Sequence, residues 1–177
     1  MEYNFDDIRP YNDKEIKEKL ALLINDPVFD EVLAYIFKER QKVDSVKAQL
    51  SMINTIEQLQ STFICELIIR ILNNTSGGLT SSGLDNLDKK KAYLFISNHR
   101  DIILDAALLN FLIFKNGMTT TRIAIGNNLL LYKWIENVVR LNRSFIIKRN
   151  LAPRDLLEAS RKVSHFIRHS ITKENIS

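Results

Sequence analysis

Apolar residues recur at helical spacing through the N-terminal part of the chain, then give way to short β-rich runs alternating with helical ones. Residues 12 to 73 read as helices. Asn12, with Glu15 three residues on, has the form of a capping box. Leu20, Leu23 and Ile24 share one face, and Pro27 ends that run. A second helix starts at Pro27 behind the capping candidate Asp26, with Val28, Val32, Leu33 and Ile36 expected on its buried side. A third pattern runs from about Val43 into the fifties. A fourth, Thr62 to Leu72, is strongly apolar, and the turn formers from Asn73 to Gly78 close it.

From Gly83 the pattern changes. Ala92 to Ser97 reads as a strand and Ile102 to Lys115 as a helix closed by Asn116 and Gly117. Thr121 to Ile125 reads as a strand, followed by the turn Gly126, Asn127, Asn128. Leu129 to Leu141 reads as a helix carrying the only tryptophan, Trp134. Ser144 to Lys148 reads as a strand, and Ala152 to about Ser170 as a helix opened by Pro153. The β-α-β-α-β-α order predicts an α/β fold: a helical N-terminal region, residues 1–78, then a mixed or parallel sheet flanked by helices over residues 79–177. Three strands are few for such a sheet. The expectation is therefore an incomplete α/β domain with Ile146, Ile147, Val163 and Phe166 under-buried, inactive by itself and prone to associate.

Composition changes this picture little. With 45% hydrophobic and 26% charged residues the chain is ordinary for a globular protein, and disorder is excluded as its main state. A net charge of +4 and a pI near 9.2 favour anionic partners. The basic residues are scattered and not interleaved with aromatics, so nucleic acid is not an expected partner. Cys65, the single cysteine, lies in an apolar helical run and reads as a buried thiol. The residues from Met1 to Asp7 are acidic and carry no apolar signal core, and no apolar stretch is long enough to span a bilayer.

Ionisable chemistry concentrates between Asn98 and Asp105. A β-rich run delivers Asn98 and His99 into a turn, and Asp101 and Asp105 follow at once. Histidine titrates near neutrality, and a carboxylate can orient its ring. Lys148 and Arg149 at a strand exit offer a point charge and a fork for a phosphate, or else a solvated pair. His165 and His169 share a helix face but have no third ligand near in sequence, so a solvated face is expected and no metal. Trp134, Tyr132 and Leu129 to Leu131 read as helix core or as a membrane or acyl-chain contact.

The run from Ser82 through Asn98, His99 and Asp101, together with Ala124 to Leu131 and Arg143 to Arg149, resembles the glycerolipid acyltransferases. That family includes the glycerol-3-phosphate and lysophosphatidic acid acyltransferases. The resemblance covers roughly residues 80 to 150, the N-terminal part of the family's domain. Its first motif is Asn-His, four residues, then Asp; here five residues separate His99 from Asp105. The place two after the histidine, often a serine in the family, is Asp101, itself a strong N-cap residue. Either the turn absorbs the extra residue, leaving Asp105 as partner of His99 and Asp101 as cap, or Asp101 is the partner. The first is the favoured reading.

The resemblance implies acyl transfer in phospholipid synthesis, from acyl-CoA or acyl carrier protein to a phosphorylated or lyso-lipid hydroxyl. His99 and Asp105 would be catalytic, with Asn98, Arg100, Lys148 and Arg149 binding substrate. No cofactor or metal is implied. A membrane surface is an expected partner, with the protein peripheral on the cytoplasmic membrane face. The family's Glu-Gly-Thr block does not occur in the 177 residues. Two other readings stay open: an inactive lipid-binding, membrane-peripheral module of the same fold, and an unrelated α/β phosphate-binding domain using Gly126, Asn127 and Arg149.

Overall fold

The computed structural model describes residues 3–98 and 100–177. The N-terminal region is helical: α1 (Ile16–Ile24), α2 (Pro27–Phe37), α3 (Arg40–Met52), α4 (Ile56–Gln58) and α5 (Cys65–Thr75). A π-helical turn, Leu59–Ile64, joins α4 to α5. Local chemistry sets the boundaries. The Asp26 carboxylate accepts the N–H groups of Val28 at 2.9 Å and Phe29 at 3.1 Å, and Pro27 follows as the first helical residue. Glu15 accepts the Asn12 N–H at 3.0 Å, the return half of a capping box. Thr55 caps α4 through the N–H of Gln58 at 3.1 Å.

One expected face is corrected. In α2 the buried residues are Phe29 and Leu33, four apart, while Val28 is exposed. The larger aromatic takes the inward stripe and turns its neighbour out by about 100°. Phe29 and Leu33 join Tyr11, Ile16, Leu20 and Val43 in a core that also takes in Leu141 from the α/β region. Cys65 is buried, as its apolar run indicates.

The second half holds α6 (Leu104–Lys115), β1 (Ile123–Gly126), α7 (Lys133–Leu141), β2 (Ser144–Ile147) and α8 (Pro153–Thr172). The strands pair in parallel, with Ile123 opposite Ser144 and Gly126 opposite Ile147. With α7 as the crossover they form a β-α-β unit. Gly117, at φ 73°, ends α6 where a side chain would be strained. Asn110 of α6 fixes the approach to β1: its Oδ1 accepts the Thr121 N–H at 2.7 Å and hydroxyl at 2.8 Å, and its Nδ2 donates to the Thr121 carbonyl at 3.2 Å.

Among the described residues the sheet has two strands, not three. Residues 92–98 make no ladder, and Leu94 (62% exposed) and Ile96 (88% exposed) face outward. The reason lies at the far end of the chain. The Ala92 N–H donates to Asn175 Oδ1 at 3.0 Å and the Tyr93 N–H to Ser177 Oγ at 2.8 Å. The Ser177 carbonyl in turn accepts the N–H of Arg122, just before β1, at 2.6 Å. Residues 175–177 thus take backbone donors that a strand at 92–97 and the start of β1 would offer each other.

The expected under-burial is also corrected for Ile146 and Phe166, both buried, while Ile147 and Val163 are partly buried. Residues 5–11 fold back along β2. The Ile8 carbonyl accepts the Ile146 N–H at 2.9 Å, and Ile8 packs with Phe145 and Phe166. The arm is held by Arg140, which donates to the carbonyls of Asp6 at 2.7 Å and Arg9 at 3.0 Å. The Tyr11 hydroxyl adds a bond to Asn137 Oδ1 at 3.1 Å.

Candidate functional site

The first cluster surrounds the turn into α6. Asp101 Oδ1 accepts the N–H groups of Ile103 at 2.9 Å and Leu104 at 2.7 Å, satisfying donors at the start of the helix. Asp105, in the first turn of α6, reaches back. Its Oδ2 accepts the N–H groups of Arg100 at 2.6 Å and Asp101 at 2.9 Å. One carboxylate therefore binds the chain ahead of it and the other the chain behind. This tight turn holds the Asp105 carboxylate against the backbone of Arg100 and Asp101. His99 itself lies outside the described residues. Asn98 and Arg100 are exposed, as are Ile102 and Ile103 on the turn.

The second cluster lies at the C-terminal ends of the parallel strands, where open α/β sheets bind their ligands. Asn127, following β1, accepts the Arg149 N–H at 2.8 Å and so ties the two strand exits together. The Arg149 side chain lies across Gly126. A Cβ there would sit 2.5 Å from Asn128 Oδ1, 2.8 Å from Arg149 Nε and 3.2 Å from its Cδ, so a larger residue would make these side chains move. Among the described residues no carboxylate pairs with Arg149. Lys148 points to the N-terminal arm instead: its Nζ and that of Lys162 each lie 2.5 Å from Asp7. Burial raises the Asp7 carboxyl, but the hydrogen bonds and charge of the two lysines outweigh it and leave the group below its ordinary range.

The structure thus brings Asp105 to the backbone of Arg100 and Asp101, and Arg149 to Gly126 and Asn127. No hydrogen bond or ion pair among the described residues links Lys148 or Arg149 to the turn at 98–105. His165 stacks on Tyr3 and His169 lies against Phe5, so this helix face supports the arm. Among the described residues no three His, Cys, Asp or Glu side chains are grouped to hold a metal. No described helix is long and apolar enough to cross a membrane. Leu131, 76% exposed, and Tyr132 follow β1, and Leu156 and Leu157 follow β2; all four are exposed. Trp134 is partly buried against the helical core.

The N-terminal arm lies outside the elements expected from the sequence, and its signal is the three-residue spacing of Phe5, Ile8 and Tyr11, which is apolar on one side. The tie from Asn127 to Arg149 has no local sequence pattern.

The model of the family described as Acyltransferase matches residues 78–175, more than half of the chain. No curated relative and no solved structure gives a significant match.

Proposed function

The chain belongs to the acyltransferase family, and on that premise we propose that it moves a fatty acyl group from a thioester, on coenzyme A or acyl carrier protein, to the hydroxyl of a glycerol-3-phosphate- or lysophosphatidate-type acceptor. His99 takes the proton of the acceptor hydroxyl as its oxygen attacks the thioester carbonyl. The C–S bond breaks, and the same proton passes to the leaving thiolate. No nucleophile from the protein and no cofactor enters the reaction. Asp105 orients the imidazole and supports its protonated form.

The observation that carries this reading is the grip on Asp105, whose Oδ2 accepts the N–H groups of Arg100 and Asp101. A carboxylate fixed beside the residue following His99 is what a histidine base requires. At the strand ends Arg149 offers a fork for the acceptor phosphate, with Gly126 leaving room for it. Exposed Asn98 and Arg100 bind the acceptor on this reading. Lys148 adds positive charge while sharing Asp7 with Lys162.

Both strands end on the same side of the sheet, so exposed Leu131, Tyr132, Leu156 and Leu157 leave from one end. With Lys133 and Arg154 beside them they suit the surface of an anionic membrane, and the protein works peripherally on its cytoplasmic face. The acyltransferase domain begins near residue 79, and residues 1–78 form its helical N-terminal region.

The test is an acylation assay on the protein and its His99→Ala variant, with CoA and carrier-protein thioesters as donors. Glycerol 3-phosphate and a lysophosphatidate serve as acceptors. His99→Ala should lower the rate by roughly 10²-fold or more with the circular dichroism unchanged. Equal turnover by a well-folded variant would remove the histidine from the reaction. Failure of the unmodified protein with every pair would favour a lipid-binding module of the same fold.

A further inference from the structure

At the opposite end of the sheet, Arg143 precedes β2 in a left-handed conformation, φ 58°, that suits glycine better than a branched side chain. Its guanidinium is mostly buried and poorly satisfied. Nε is buried with no partner among the described residues, and Nη1 reaches the Thr120 carbonyl only at 3.5 Å, the outer limit of a hydrogen bond. Burial, and then the charge of Arg122, push this arginine below its ordinary range, while Asp13 and Glu57 act in the other direction. No carboxylate among the described residues comes close enough to pair with it. A buried guanidinium left in this state costs free energy that a ligand can recover.

Arg143 lines a cavity of about 230 Å³ together with Glu57, Gln60, Thr119 and Thr120, and with Phe114, Gly117 and Met118 on its apolar side. Gln60 is fixed by its bond to Asn142 Oδ1 at 2.7 Å. Lys89 Nζ would lie 3.9 Å from a Cβ at Gly117, which places a second cation at the edge. The cavity is below the range of roughly 300–1,000 Å³ that suits drug-sized ligands, so a nucleotide or lipid is too large. The polar lining offers the arginine fork and two threonine hydroxyls as donors, with Lys89 near Gly117. At roughly 3.3 Å per residue the six steps from Arg143 to Arg149 span up to about 20 Å, so this is not the acceptor phosphate site.

We propose that this cavity binds a small oxyanion, a phosphate or carboxylate group, on the Arg143 guanidinium with Thr119, Thr120 and Lys89 around it. The site stands independently of the acyl-transfer reading. Its walls come from the helical region (Glu57, Gln60) and from the α/β region (Thr119, Thr120, Arg143), so an anion here braces one against the other. Glu57 on the rim opposes it and limits affinity.

The experiment is a thermal melt of the whole chain at constant ionic strength, with inorganic phosphate or acetate replacing chloride. Saturating anion should raise Tm by about 5 °C. Arg143→Gly is the chosen variant because glycine tolerates the backbone conformation; its apparent Kd should weaken at least tenfold. Glu57→Gln, at an exposed position, should tighten binding severalfold, and Arg149→Ala should keep the part of the shift that Arg143→Gly removes. A response to phosphate alone or to acetate alone assigns the class of ligand. The proposal is overturned if neither anion shifts Tm beyond chloride, if Arg143→Gly binds as the parent does, or if Arg149→Ala abolishes the effect.

Discussion

Both backbone bonds to Asp105 end on one oxygen, and this makes Asp105→Asn an informative substitution. An asparagine carbonyl in that place still accepts both N–H groups, so the turn persists while the charge is lost. The proposed role of Asp105 depends on that charge. Asp105→Asn should therefore cut acyl transfer by up to roughly 10²-fold with Tm almost unchanged. Asp101→Ala is expected to behave in the opposite way. Removing Oδ1 strips the N–H groups of Ile103 and Leu104 of their acceptor and should cost about 1 kcal/mol in a denaturant titration. Should Asp101→Ala abolish turnover while Asp105→Asn retains it, the two carboxylates exchange roles.

Elements that end on their own residues were legible in the sequence. Asp26 with Pro27, Pro153 and Gly117 act within a few positions, and periodicity between them marked the helices. The strand expected at 92–97 failed because pairing is a non-local event. Its β-rich residues say nothing about Asn175 and Ser177, which take the N–H groups of Ala92 and Tyr93. Asp7 is another long-range element contact, 141 positions from Lys148. Its folded-state carboxyl lies below the ordinary value, so its contribution to stability is present above about pH 4 and fades as pH falls through the folded value. Glu15 and Glu136 are lowered in the same direction despite their burial, through Arg9 and through Lys133 and Arg140. Melting temperature should accordingly fall below about pH 4, and Asp7→Asn should melt lower than the parent at pH 7 with a shallower acid decline. Parallel pH profiles for the two proteins would mean the lysines do not stabilise the folded arm through Asp7.

On the scale of the whole molecule, the helical and α/β regions are not separate bodies of packing. Leu141 of α7 sits in the core built by α1 to α4, and residues 5–11 cross over to close the α/β region. The arm matters because a two-stranded sheet has little core of its own. Ile8 is only 2% exposed, lies against Phe145 and Phe166, and offers its carbonyl to β2. Truncating it leaves a hole where three elements meet but keeps the backbone bond, so Ile8→Ala isolates the packing contribution. Such deletions cost about 2–5 kcal/mol, a large share of the roughly 5–15 kcal/mol that holds a domain together. Because Leu141 and the arm tie the two regions together, the loss should lower a single cooperative transition and not split off an early one. Urea unfolding followed in parallel by far-ultraviolet circular dichroism and by Trp134 fluorescence, which reports on the helical core, reads both points. Coincident curves displaced to lower urea are expected for Ile8→Ala. An unshifted midpoint would show that the arm does not support the sheet, and separated curves would show that the two regions unfold independently.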